Sequence, residues 1–188
     1  DPYKILSVIN GNTGETNGYV FERRPDSRLR QSLFAQAKYV IGENVLDTSY
    51  RFYTDDWGIR SHTLDLAYRW EFGAGHHYLQ PHVRYYQQSA ADFYHHSLVA
   101  GSGVDANGNL PDGRYASADP RLAKFTATTL GLKYGYVMAK NHEASVRFDY
   151  YQQKGTDHPA DAIGIQKQYD LFPETRAYIV PFGYSFTW

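Results

Sequence analysis

The sequence predicts an all-β chain: an up-and-down antiparallel transmembrane β-barrel with eight strands visible. Three observations carry this. Segments of about ten residues alternate large apolar with small or polar side chains, most cleanly over residues 178–188. Tight turns and long polar loops take turns along the chain. Hydrophobic residues make up 42% and aromatic residues 16% of the 188, yet mean hydropathy is −0.59. That pairing suits a wall in which only alternate residues meet lipid, and does not suit a helical membrane protein.

The bulk numbers exclude several classes. No run approaches the 18 apolar residues of a membrane-crossing helix. A net charge of −1 gives no electrostatic pull toward nucleic acid. The absence of cysteine removes disulfides and thiolate metal sites. The chain opens on Asp1-Pro2 without a signal peptide, as a mature protein or a fragment would. Its length fits one domain, residues 1–188.

A first strand is expected within residues 3–9, although it alternates poorly, and residues 10–29 read as a loop ending in Arg23, Arg24, Arg28 and Arg30. Strand two, residues 31–41, sets Leu33, Ala35, Ala37, Tyr39 and Ile41 opposite Gln36 and Lys38. After the turn Gly42-Glu43-Asn44, strand three places Leu46, Tyr50 and Phe52 against Asp47, Ser49, Arg51 and Tyr53. Asp55-Asp56-Trp57-Gly58 breaks the pattern. Strand four alternates Leu64, Leu66, Tyr68, Trp70 and Phe72 with Asp65, Ala67, Arg69 and Glu71. Gly73-Ala74-Gly75 turns the chain into strand five, where Leu79, Pro81, Val83 and Tyr85 oppose Gln80, His82, Arg84 and Tyr86. Residues 95–122 shift to Gly, Asp, Asn, Pro and Ser, a long loop. Strand six carries Leu130, Leu132, Tyr134, Tyr136 and Met138 opposite Thr129, Gly131, Lys133 and Gly135. The turn Lys140-Asn141-His142 leads to strand seven, where Ala144, Val146, Phe148 and Tyr150 oppose Ser145, Arg147, Asp149 and Tyr151. A third loop, residues 154–174, precedes the closing strand, with Tyr178, Val180, Phe182, Tyr184, Phe186 and Trp188 on one face.

If Trp188 sits at the periplasmic end, every short turn falls on that side and every long loop outside, as in transmembrane barrels. Tyr39, Trp70, Tyr78 and Trp188 then lie near periplasmic ends; Tyr50, Phe52, Tyr150 and Tyr178 lie near outer ends. Two such girdles are what interfacial anchoring of aromatic rings predicts.

Four stretches resemble a known family: residues 50–64 around Asp55-Asp56-Trp57-Gly58, residues 84–94 with Ser89-Ala90-Ala91-Asp92-Phe93-Tyr94, Tyr115-Ala116-Ser117-Ala118-Asp119, and Asp170-Leu171-Phe172-Pro173. They are similar to the carboxy-terminal part of an uncharacterised Gram-negative outer-membrane β-barrel family, domain of unknown function 3570. The resemblance spans essentially the whole chain. It implies a bacterial outer-membrane location, and a barrel that closes alone with eight strands or belongs to a larger one. It brings no catalytic residues.

The alternation points one set of side chains inward: Lys38, Asp47, Arg51, Asp65, Arg69, Glu71, His82, Arg84, Lys133, Arg147 and Asp149. Six are basic and four acidic. They line either a polar pore with mild anion preference or a closed network of ion pairs filling a narrow barrel. The cluster Arg23, Arg24, Arg28 and Arg30 either contacts lipid phosphates or sits in a solvated loop paired with Glu22 and Asp26. Tyr39, Trp70, Tyr78, Tyr178 and Trp188 are the expected interface aromatics.

No catalytic, cofactor-binding or metal site is expected. Ser61 and His62 beside Asp55 and Asp56 would need to converge for hydrolysis, but strand neighbours point opposite ways. Asp105-Ala106-Asn107-Gly108-Asn109 has its glycine misplaced for a calcium loop and lacks a closing Glu. The doublets His76-His77 and His95-His96 have no established ligand spacing.

The leading functional reading is a porin-like channel or transporter for a small polar solute. The alternative is a non-transporting docking barrel that presents its loops to a lipoprotein or periplasmic partner. An outer-membrane hydrolase comes third. The partners expected are outer-membrane lipid and, through the carboxy-terminal strand, the barrel-insertion machinery; nucleic acid is not among them.

Overall fold

The computed structural model describes residues 4–105, 108–139 and 142–187. In chain order the strands are β1 (Ile5–Ile9), β2 (Thr16–Phe21), β3 (Arg30–Ile41), β4 (Asn44–Asp55), β5 (Arg60–Phe72), β6 (His77–Gln88), β7 (Leu98–Val99), β8 (Phe125–Ala139), β9 (His142–Gly155), β10 (Thr175–Ile179) and β11 (Phe182–Phe186). The only helical pieces among the described residues are two 3-10 turns, Pro120–Leu122 and Gly164–Gln168. No helix is long and apolar enough to cross a membrane, a fact that leaves strands out of account.

One large sheet runs β3-β4-β5-β6-β8-β9, with β10 and β11 end to end along the free edge of β9. Every neighbouring pair in it is antiparallel. The last two strands form one interrupted stave. Ile179 faces Asp149 and Phe182 faces Val146, so the register runs on without a slip. Pro181 makes the gap because it has no N–H to donate, while its carbonyl still accepts from the Arg147 N–H at 3.0 Å.

The strands predicted from alternation are therefore present, and their short connections share one end. Gly42 (φ 61°) supplies the left-handed residue of the two-residue β3–β4 turn. Strands of 12 to 15 residues, such as β3 and β8, reach about 40 Å or more at ~3.3 Å per residue. Tilted by ~40°, they span about the ~30 Å of a hydrocarbon core.

Two expectations need correction. The segment 3–9 does not supply an eighth barrel strand. Its strand β1 pairs with β2 and, in parallel, with β7 in a separate three-stranded sheet. Leu6, Val8 and Ile9 are all buried, which explains the poor alternation: β1 is a core strand, not a wall strand. Second, the large sheet is open. Among the described residues β3 does not pair with β10 or β11, so of the two alternatives the sequence left open, eight strands closing alone is not what forms. What stands is an all-β, antiparallel wall.

The wall has two unlike faces. Leu33, Leu64, Leu130, Phe148 and Phe182 project from one and are 69%, 51%, 50%, 50% and 81% exposed. The other holds the charged set, and there Asp149 is only 1% exposed. Side chains from β3 (Gln36), β4, β5, β6, β8 and β9 line a single recess on this charged face. Six adjacent strands can share one recess only if the sheet curves around it, so the polar face is the concave one.

Ordinary apolar packing occurs elsewhere, in a cap built from β1, β2, β7 and the long loops. Leu6, Val8, Val20, Leu98, Leu110 and Ala116 form its core. A second cluster, Ile59, Ala91, Phe93 and Leu122, packs with Trp57 and Tyr53 and fastens the cap to the long-loop end of the wall. Each fully buried aliphatic or aromatic side chain here contributes about 1.5–3 kcal/mol.

Candidate functional site: an arginine-lined recess on the inner face

At the long-loop end, the concave face and the underside of the cap enclose a recess of about 520 Å³. Arg51, Ser61, Thr63, Arg84, Tyr86 and Gln88 reach it from the wall. Cross-strand pairing explains their convergence, since Arg51, Thr63 and Tyr86 share one row, and Tyr53, Ser61 and Gln88 the next. Arg30 reaches it from the start of β3, and Arg24, Arg28, Trp57, Asp119 and Arg121 close over it from the loops. Six arginines thus line the recess against one acidic residue.

The nearby carboxylates are already committed. Asp55 has a fully buried side chain that accepts from Arg28 Nη2 at 2.6 Å, Arg28 Nε at 2.9 Å and the Tyr53 hydroxyl at 2.8 Å. It also caps the β4–β5 link by accepting the Trp57 and Ile59 N–H groups, both at 3.0 Å. The Arg28 guanidinium stacks on the Trp57 ring, 4.4 Å from its centre. Asp119 takes Lys4 at 2.6 Å, Arg24 at 2.9 Å and Arg121 at 2.8 Å. Burial would raise the Asp119 carboxyl, but hydrogen bonds from Arg121, Lys4 and Arg24 outweigh it and hold the group well below the usual carboxylate range. Glu22, also buried, pairs with Arg24 at 2.8 Å and accepts from the Ser117 hydroxyl. Arg30 and Arg51 have no carboxylate partner among the described residues; Arg51 lies over the Phe34 ring instead.

The recess continues along the wall. Arg84 lines it and two further hollows, one bordered by His82, Arg147, Asp149 and Ile179, the other by Asp47, Asp65, His82 and Lys133. Here ion pairs cross between strands and along them. Arg147 bonds Asp149 at 2.7 Å, His82 Nε2 lies 3.1 Å from Asp65, and Arg84 is 3.8 Å from Asp65. His82 Nδ1 and Asp149 Oδ1 are buried without a partner. Both border the space that a Cβ on Gly131 would fill, 3.4 and 2.3 Å away respectively. Toward the short-turn end paired side chains cover the face. Tyr78 is wholly buried, lies under Arg69 at 3.6 Å, and donates to Glu143, which also pairs with Lys133 at 3.5 Å. Arg69 bonds Glu71 at 2.7 Å and Lys38 pairs with Asp47 at 3.3 Å.

All eleven residues expected to face inward thus share the concave face. Tyr78 does not belong among the interface aromatics: it points to this same face, two residues before Gln80, and cannot meet lipid. Tyr39, Trp70 and Tyr178 do lie on the apolar face, 68%, 50% and 71% exposed. Trp188 lies outside the described residues, as do Lys140 and Asn141 of the third turn and Ala106 and Asn107 of the loop considered for calcium. Of the arginine cluster, Arg24, Arg28 and Arg30 line the recess, while Arg23 Nη1 donates to the Pro111 carbonyl at 3.0 Å. The carboxylate partners of Arg24 are Glu22 and Asp119 and that of Arg28 is Asp55, not Asp26. Ser61 faces the recess, whereas His62 is exposed on the opposite face, 2.7 Å from the Tyr50 hydroxyl; the two do not converge.

Asp119, Gln88 and Thr63 were not singled out as site residues from sequence. Gln88 is buried, donates to the Arg121 and Ala123 carbonyls at 3.0 and 2.7 Å, and so ties β6 to the cap. Asp55, Gln88 and Asp119 fall within stretches that carry the family resemblance, and that was the one available signal. A family model described as "Protein of unknown function (DUF3570)" matches residues 1–186. The chain belongs to the DUF3570 family. No curated protein and no solved structure matches it. In this DUF3570 chain, residues 50–64, 84–94 and 115–119 meet where the cap joins the wall, the Asp92 N–H donating to the Trp57 carbonyl and the Ser117 N–H to the Phe93 carbonyl, while Phe172 of the fourth stretch packs on Phe125.

Proposed function

We propose that this DUF3570 chain forms the wall of a bacterial outer-membrane β-barrel whose concave face lines a passage for small anionic solutes. One observation carries the reading: an apolar, solvent-facing outer surface backs onto a polar inner face along which three hollows share Arg84 in their lining. Exposed apolar area on this scale is rare on a protein bathed in water, and basic linings favour anions. The exposed aromatic row Phe182, Tyr184 and Phe186 on β11 suits recognition by barrel-insertion machinery. Single-channel recording of the full-length protein in a planar bilayer tests the proposal. Salt-dependent openings with a reversal potential on the anion side are expected, and Arg84→Gln reduces that selectivity. A folded protein that conducts nothing overturns the channel reading.

A docking barrel is the second reading, favoured by the separately packed cap with its own core. It predicts a silent bilayer and a protein partner, such as a lipoprotein, that co-purifies with the intact cap and is lost on Leu6→Ala.

A further inference from the structure

We infer that the recess beneath the cap is a binding site for phosphate-type oxyanions, free or carried as a phosphate monoester. The inference builds on the anion passage proposed above and names the ligand class at its outer mouth. The strongest support is the charge balance. Asp55 and Asp119 are saturated by Arg28 and by Lys4, Arg24 and Arg121, so neither is available to neutralise Arg30 and Arg51. Those two guanidiniums, with Arg84 held only loosely at 3.8 Å from Asp65, leave an uncompensated positive field inside a concave space of about 520 Å³. Low-dielectric walls concentrate such a field.

The donor set decides the class. Guanidinium groups present planar forks that match phosphate oxygens two at a time. The buried hydroxyls of Ser61 and Thr63 also face the recess, and no side chain among the described residues takes a hydrogen bond from them. Hydroxyl donors between arginines suit a tetrahedral anion with several acceptor oxygens. A halide, a single sphere, has no separate oxygens to divide between hydroxyls and guanidinium forks. Trp57, stacked under Arg28, places a fluorescent ring in the lining.

The ion pairs also set which residues can be tested. Removing Arg24 or Arg28 would strand buried carboxylates, whereas Arg30 and Arg51 have no such partner. The experiment is a titration of the folded, detergent-solubilised full-length protein with inorganic phosphate at fixed ionic strength, read by calorimetry and by tryptophan fluorescence. Saturable binding is expected that chloride does not reproduce. Arg30→Gln and Arg51→Gln each weaken it about tenfold, as loss of one charge-assisted contact would. Arg60→Gln, outside the recess lining, leaves it unchanged.

A parallel arm uses vesicles with and without lipid A phosphates. Binding to lipid phosphate that depends on Arg30 and Arg51, with none to free phosphate, assigns the same chemistry to a lipid headgroup. No saturable phosphate binding in either arm, or equal weakening by Arg60→Gln, overturns the inference. Because the titration needs no current, a conducting protein that ignores phosphate refutes this site alone. A silent protein that binds phosphate refutes the channel alone.

Discussion

The cap and the wall obey opposite rules. In the cap, apolar side chains build an inner core: Leu6, Val8, Val20 and Leu98 pack together, though Ile5, Tyr19 and Phe21 at its strands stay exposed. In the wall, Leu64, Leu130 and Phe148 face out while Asp149, Tyr78, Ser61 and Gln88 are buried on the concave side. One chain cannot satisfy both arrangements in one solvent. Burying apolar surface drives the first only in water. The second is stable only where the outer face meets something as apolar as itself, with the inner charges paired or wet. The contrast teaches that burial alone misplaces the core of this protein; on the membrane reading proposed above, the boundary between two solvents lies where the cap meets the wall.

Several experiments break or sharpen that contrast, and the largest effects are expected at buried charge and tight packing. Gly135→Leu should be the most disruptive, because even a Cβ at Gly135 would sit 2.0 Å from the Tyr78 ring; loss of the folded, heat-sensitive gel mobility is the readout. Asp119→Ala should cost about 3 kcal/mol by leaving Lys4 and Arg24 without their shared counter-charge, and should open the cap first, as limited proteolysis would show.

Acid should mimic that variant. The Asp119 carboxyl is held below its ordinary value when folded, so its stabilisation is full above the unfolded carboxylate range, near pH 4. It fades as pH falls from there through the folded value. Cap proteolysis at pH 3 with the wall's strand circular dichroism intact would show this; a cap as resistant at pH 3 as at pH 7 would contradict it.

A charge on the apolar face separates the two solvents directly. Leu130→Arg should cost about 2–4 kcal/mol for a residue near mid-bilayer, against ~0.5 kcal/mol or less for an exposed residue in water. Folding into lipid under a urea series measures it. The smallest effect belongs to Lys38→Gln. Lys38 is 63% exposed on its side chain in the pair with Asp47, so its loss should shift stability by less than ~1 kcal/mol.

Much of the wall was legible in the sequence because a period of two leaves a mark wherever the two faces meet different surroundings. Leu64 to Phe72 against Asp65 to Glu71 is enough to place β5. Tyr78 shows what is lost when position along a strand is read in place of parity; Gln80, His82 and Arg84 already fixed which face it shares. The glycines of β8 were a further unread signal. Gly131 and Gly135 lie across from Asp149 and Ser145 and make room for the carboxylate and for the Tyr78 ring. The cap was not legible, because its strands are short, β1 is buried without clean alternation, and its decisive contacts join Lys4 and Arg24 to Asp119 across half the chain or more. Local pattern carries no trace of such pairs. The missing closure of the wall has the same root: which edges meet is a long-range fact that alternation does not encode.

Site-directed labelling tests most directly whether the two faces of the wall meet different solvents. The chain has no cysteine, so single substitutions report cleanly. Leu132→Cys and Phe148→Cys sample the apolar face; Lys133→Cys and Arg147→Cys sample their neighbours on the concave face. In the reconstituted full-length protein, a charged, water-soluble maleimide should modify the latter two and spare the former, while a lipid-soluble maleimide reverses the order. Equal modification of all four by the charged reagent would contradict the account.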